Sequence, residues 1–170
     1  MFEITAEQIM LNQSYASWEE ALAASGELLL KNQLVTPDYV KAMYQRQQKV
    51  SVYIGNFVAL PHAEGQDEQV LKEGICFIQV PDGVNFGTEA DRKIATLLFV
   101  VALKSQRQLS MLQELAFFCS DLENIQRLSD CQTIDEAQKI LAQAYSYIWK
   151  KLVVKNQFIL KCSIIIEIIL

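Results

Sequence analysis

The sequence predicts an α/β fold: a single layered domain in which a mostly parallel mixed β-sheet is flanked by helices. Three observations carry that expectation. Apolar runs of strand length alternate with stretches of helical periodicity. The longest run, ATLLFVVAL from Ala95 to Leu103, is almost wholly apolar, as a central strand covered on both faces should be. The chain has 170 residues, enough for one well-packed core and too few for two comfortable ones.

Ser17 and Glu20 form an S-x-x-E capping box, which satisfies backbone N–H groups at a helix start. The helix it opens has Leu22, Leu28 and Leu29 among its apolar positions, and Asn32 with the Val35-Thr36-Pro37 turn stops it. Thr36 then reads as an N-cap with Pro37 at the first helical position. This second helix carries Tyr39, Val40, Met43 and Tyr44 and runs to about Gln48.

The periodicity then changes. Phe57-Val58-Ala59-Leu60 is a short apolar run between Gly55 and Pro61 and reads as a buried strand. Gly74 to Val80 (GICFIQV) is a second strand, expected to close at the Pro81-Asp82-Gly83 turn, and Ala95 to Leu103 is the third. From about Arg107 a helix presents Leu109, Leu112, Leu115 and Ala116 on one face. Another starts near Asp121, and the last begins at a Thr133/Glu136 capping box with Ala137, Ile140, Leu141 and Ala144.

Residues 1–147 therefore read as one domain, without internal repeat or low-complexity linker. The remaining 148–170 form an apolar tail of unassigned role. Its most apolar part, Gln157 to Leu170, is interrupted by Lys161 and Glu167 and is too short for a typical membrane span. Three readings stay open for it: an added strand, a partner-binding segment, or an extension foreign to the domain.

Composition narrows the function. The net charge is -5 and no cluster of Lys and Arg is present, which argues against a nucleic-acid partner. Cys76, Cys119, Cys131 and Cys162 show no C-x-x-C spacing and lie far in sequence from the histidine, so no metal site is expected. The expectation for them is reduced, mostly buried thiols. No Gly-rich phosphate loop appears, so no nucleotide cofactor is expected. The N-terminus lacks a basic stretch followed by an apolar one, which suits a cytoplasmic protein.

One histidine occurs in the chain, His62, directly after Pro61 at the carboxyl end of a predicted strand, where ligands collect in open α/β sheets. A neutral imidazole is a nucleophile at physiological pH, and the preceding proline restricts the backbone that aims it. By residue logic, an idle histidine remains the commoner alternative. Glu64, Asp67, Glu68 and Glu73, which follow, read as a solvated face.

The segment Tyr53-Ile54-Gly55-Asn56-Phe57-Val58-Ala59-Leu60-Pro61-His62 resembles the phosphorylation-site motif of mannitol-type enzyme IIA proteins of the bacterial sugar phosphotransferase system. Val80-Pro81-Asp82-Gly83-Val84-Asn85-Phe86-Gly87 resembles a second stretch of that family, and the similarity runs in order from residue 1 to 147. The resemblance implies a phosphoryl carrier. Its donor would be the histidine-containing phosphocarrier protein and its acceptor a cysteine of enzyme IIB, which phosphorylates mannitol or a related sugar alcohol. It implies that Nε2 of His62 attacks and that Arg46, on the preceding helix, stabilises the phosphoryl oxygens with its fork of donors.

Two positions depart from the family pattern. Gln108 stands where many members have a second histidine, and Asn56 where some have glutamate. Glutamine donates hydrogen bonds but carries no charge. Arg107 is open to two readings, a restored charge or a solvent-facing helix residue. The missing histidine leaves an alternative: a regulatory enzyme IIA-like module whose phosphorylation controls a partner such as a transcriptional regulator.

Overall fold

The computed structural model describes residues 4–143; Ala144 to Tyr147 and the tail 148–170 lie outside the described residues. Five strands form one sheet: β1 (Ile9–Met10), β2 (Tyr53–Gly55), β3 (Val58–Ala59), β4 (Gly74–Asn85) and β5 (Ile94–Ala102), in the order β1-β4-β5-β3-β2. The helices are α1 (Trp18–Lys31), α2 (Pro37–Lys49), α3 (Ser105–Cys119), α4 (Leu122–Asp130) and α5 (134–143). The expected mixed sheet flanked by helices is present. Its pairings divide evenly: β1–β4 and β3–β5 are parallel, β4–β5 and β2–β3 antiparallel.

The period-two alternation of strand side chains sorts the core into two layers. Ile75, Phe77, Leu97, Phe99 and Val101 face α3, α4 and α5, meeting Leu112, Leu115, Phe118, Leu128 and Leu141. Cys76, Ile78, Leu98, Val100 and Ala102 face α1 and α2, meeting Leu22, Leu29, Tyr39 and Met43. Being buried on both faces, β5 sits in the middle of the sheet, as its apolar run predicts.

The capping box at Thr133 forms as predicted, and the one at Ser17 forms with its return bond shifted by one residue. The Ser17 hydroxyl accepts from the Glu20 amide, while the Glu20 carboxylate takes the Ala16 N–H at 2.8 Å. At α5, Thr133 Oγ1 accepts the Glu136 amide and the Glu136 carboxylate accepts the Thr133 amide, both at 3.2 Å. Thr36 is a correction: Pro37 does open α2, but the Thr36 hydroxyl makes no cap and is tied to Gln69 instead.

Two further expectations are corrected. Pro81-Asp82-Gly83 does not end a strand: β4 runs on through it to Asn85, with a shift of register against β5 between Gln79 and Val84. Proline lacks a ladder donor and Gly83 takes φ +72°, so the tripeptide makes an irregularity within the strand and not a reversal. On α3, which begins at Ser105, two residues before Arg107, Leu112, Leu115 and Ala116 are buried but Leu109 is exposed.

Sequence reading missed the short strands β1 and β2. The β2–β3 hairpin turns on Asn56 and Phe57, with φ 48° and 62°, the paired positive values of a type I′ turn. Asn56 suits such a turn, but Phe57 masks the signal, because a bulky aromatic rarely takes that conformation.

Candidate active site

His62 follows the end of β3, and its residue is only 4% exposed. Its Nδ1 lies 2.6 Å from the Leu60 carbonyl oxygen. A carbonyl can only accept, so Nδ1 carries the proton and Nε2 keeps the lone pair. Burial pulls the imidazole down from its ordinary value of 6.5 to about 4. The Leu60 carbonyl opposes this by holding the ring N–H, the Arg46 charge adds to it, and Glu64 opposes it. The ring is therefore neutral and nucleophilic at physiological pH.

The loop around that ring is pinned on every side. The Leu60 amide donates to the Val52 carbonyl at 2.9 Å, and the Pro61 carbonyl accepts the Val101 amide at 2.8 Å. The Ala63 amide donates to the Tyr39 hydroxyl at 3.3 Å, and the Ala63 carbonyl accepts Gln108 Nε2 at 2.6 Å. Helix α2 thus supports the loop through Tyr39, and α3 through Gln108.

Arg46 lies in the last turn of α2, where a cation suits the helix dipole. It is buried, and its Nη1 donates to the Val50 carbonyl at 2.7 Å. Val50 ends the helix in an extended conformation and returns its own amide to the Arg46 carbonyl at 3.1 Å. Across the guanidinium, Glu64 Oε2 stands 4.0 Å from Nε and 3.4 Å from Lys49 Nζ. Burial lowers the Arg46 pKa while Glu64 raises it, so the carboxylate helps keep the buried cation charged.

The stretch Asn85–Gly87 supports this corner. The Phe86 carbonyl accepts Gln47 Nε2 at 3.0 Å and Ser51 Oγ at 2.9 Å, while Gln47 Oε1 takes the Val52 amide at 2.8 Å. That locks the exit of α2, and with it Arg46, to the loop between β4 and β5. Gly87 has no room for a side chain, since a Cβ would stand 2.0 Å from the Asp91 carbonyl.

The structure gathers His62, Arg46 and Gln108 at the carboxyl end of the β3 segment. Asn56 is not part of that group. It stands at the other end of β3, where its side-chain amide donates to the Cys119 carbonyl at 3.0 Å and fastens the hairpin to the end of α3. The solvated face expected after His62 is present, with Glu64, Asp67 and Glu68 exposed and Glu73 half-buried, and two of its carboxylates also make defined contacts. Asp67 accepts the Ser105 amide at 2.8 Å and Glu73 the Lys104 amide at 3.2 Å, so both cap the start of α3. Arg107 pairs with Glu73 at 2.8 Å. Cys76, Cys119 and Cys131 are buried as expected, and burial pushes each thiol up.

Sequence reasoning missed Tyr39 and Glu64. Tyr39 counts as one more apolar helix position until its hydroxyl is placed. Glu64 is the second residue after the histidine, and nothing in its neighbours marks it as the partner of Arg46.

The lowered pKa has a measurable consequence. Its folded value lies below the ordinary one, so the stability it contributes is complete above about pH 6.5 and is lost as pH falls through about 4. The shift corresponds to about 3 kcal/mol at most. Because the chain has a single histidine, one ring signal followed by NMR against pH reports it directly. A midpoint well below 5 is expected; a midpoint near 6.5 contradicts the burial.

Comparison with known proteins agrees with the geometry. Residues 3–144 match the family model for the phosphoenolpyruvate-dependent sugar phosphotransferase system, EIIA 2. The mannitol-specific phosphotransferase enzyme IIA component of Enterococcus faecalis is 43% identical over 145 residues, 85% of this chain and 100% of that protein. The crystal structure of mannitol IIA from Escherichia coli superposes with a TM-score of 0.76 at 35% identity, covering 82% of this chain and 99% of the other. The Escherichia coli complex of mannitol enzyme IIA with phosphorylated enzyme IIB contains a chain matching at TM-score 0.78 and 35% identity, over 84% of this chain and 99% of that one. With nearly the whole described region matched in sequence and fold, this chain belongs to the enzyme IIA family of sugar phosphotransferase system components, which are phosphotransferases.

Proposed function

We propose that this protein is a cytoplasmic phosphoryl carrier in the uptake of mannitol or a related sugar alcohol. His62 takes the group from the histidine-containing phosphocarrier protein and gives it to a cysteine of enzyme IIB. The observation that carries the reading is the 2.6 Å contact from His62 Nδ1 to the Leu60 carbonyl. It commits one nitrogen to the protein and leaves Nε2 as the nucleophile. The names of the relatives support the sugar alcohol and the acceptor: enzyme IIA components specific for mannitol, and a complex with phosphorylated enzyme IIB. Among the described residues no helix is long and apolar enough to cross a membrane.

In the first step the Nε2 lone pair attacks phosphorus, and the bond from phosphorus to the donor's histidine nitrogen breaks. The donor keeps that electron pair, and no proton need leave His62. In the second step a thiolate of enzyme IIB attacks the same phosphorus and the pair returns to Nε2. Such transfer asks mainly for alignment and for stabilisation of oxygen charge. The pinned loop supplies alignment, and Arg46 supplies a buried cation beside the ring. Gln108, at the second-histidine position, acts through the loop by holding the Ala63 carbonyl.

The test is incubation with phosphoenolpyruvate, enzyme I and the phosphocarrier protein, followed by intact-protein mass spectrometry. One acid-labile phosphoryl group is expected, and it should leave on addition of a mannitol-type enzyme IIB. No uptake, with a known enzyme IIA labelled in parallel, would refute the reading.

A further inference from the structure

The register of β3 against β5, Val58 with Leu97 and Ala59 with Leu98, sets His62 opposite Val101 when carried forward. In a parallel ladder Val101 should donate to the carbonyl of residue 61 and accept the amide of residue 63. The first bond is made, at 2.8 Å to Pro61. The second is replaced: the Tyr39 hydroxyl stands between the strands, donating to the Val101 carbonyl at 2.7 Å and accepting the Ala63 amide at 3.3 Å. The next rung is replaced as well. The Ala63 carbonyl, which the Leu103 amide would meet in a continued ladder, takes Gln108 Nε2.

We propose that Tyr39 is a positioning residue for phosphoryl transfer, its hydroxyl holding the ladder open by one oxygen at His62. The proposal rests on the reading of His62 as the carrier. A strand side chain stands roughly perpendicular to the sheet, while the strand carbonyls lie near its plane. For the ring of His62 to reach the carbonyl of Leu60, the backbone must leave strand geometry between those residues. Strand β3 ends at Ala59, and the inserted hydroxyl holds the departing chain in one defined place at Ala63, just past His62, since Tyr39 is 1% exposed and packed in the core between α2 and the sheet. The consequence is chemical: the tautomer that exposes the Nε2 lone pair depends on an atom that need not touch the phosphoryl group.

Tyr39→Phe keeps the ring and removes that oxygen. The readouts are single-turnover transfer from the phosphorylated phosphocarrier protein and the nitrogen NMR spectrum of the single histidine. We expect at least a tenfold lower rate at saturating donor, an unchanged half-saturating donor concentration, and a mixed tautomer in place of Nδ1–H. A wild-type rate and tautomer, with only a lower unfolding midpoint, would overturn the proposal and leave the carrier reading intact. If Tyr39→Phe does not fold, p-aminophenylalanine at position 39 replaces it, because its amine donates to Val101 but accepts poorly from Ala63. The same changes are expected in smaller degree, and wild-type behaviour again overturns the proposal. Should the wild-type protein take up no phosphoryl group, the carrier reading fails, and an unaltered tautomer in the variant would sink the positional role independently.

Discussion

His62→Ala is expected to abolish phosphoryl uptake while the protein stays folded. No second imidazole exists to receive the group. The described cysteines are buried with thiols held protonated, so they offer no substitute nucleophile. The structural cost is modest. Truncation leaves the Leu60 carbonyl without its donor and opens a small cavity, about 1–3 kcal/mol against a typical domain stability of about 5–15 kcal/mol. Intact mass after exposure to the donor system, with circular dichroism for the fold, checks both halves. An acid-labile phosphoryl group on the folded variant would place the chemistry elsewhere.

Arg46→Ala is expected to slow transfer about 100- to 1000-fold, the range found when one preorganised charge donor is removed from a reacting centre. The guanidinium is held by the Val50 carbonyl and faced by Glu64, so it costs little reorganisation when oxygen charge develops beside it. Arg46→Lys should recover only part of the rate, because an ammonium is a point charge without the fork geometry. The His62 ring should also become easier to protonate in the alanine variant, since the Arg46 charge now disfavours it. Single-turnover transfer measures the first effect and ring titration the second. Rates within twofold of wild type would remove Arg46 from the site.

The sheet's central strand and the helix starts were legible because each rests on local chemistry. A nearly unbroken apolar run can only be covered on both faces, and the capping boxes at Ser17 and Thr133 satisfy the amides they precede. Errors arose where a local signal served a tertiary purpose. Pro81-Asp82-Gly83 has the residues of a turn, yet neighbouring β5 continues past it and pulls it into the sheet as an irregularity. Thr36 has a capping hydroxyl, yet Gln69 claims it.

The site divides the same way. His62 stands out as the lone histidine at a strand's carboxyl end, Arg46 and Gln108 are legible only through the family resemblance, and the structure brings the three together at one end of β3. Asn56 came from the same register but is spent on the Cys119 carbonyl, a contact 63 residues away in sequence that no local pattern encodes. Tyr39 and Glu64 were invisible for a related reason. Each acts through a backbone or a charge supplied by another element, and only the folded loop shows which one.

The most direct test of the central claim is nitrogen and phosphorus NMR of the phosphorylated protein carrying labelled histidine. With one histidine in the chain, a single ring reports. The account predicts phosphorus coupled to Nε2, with Nδ1 still protonated and bonded to Leu60. Phosphorus on Nδ1, or a ring spectrum unchanged in a protein whose mass shows the added group, would contradict it.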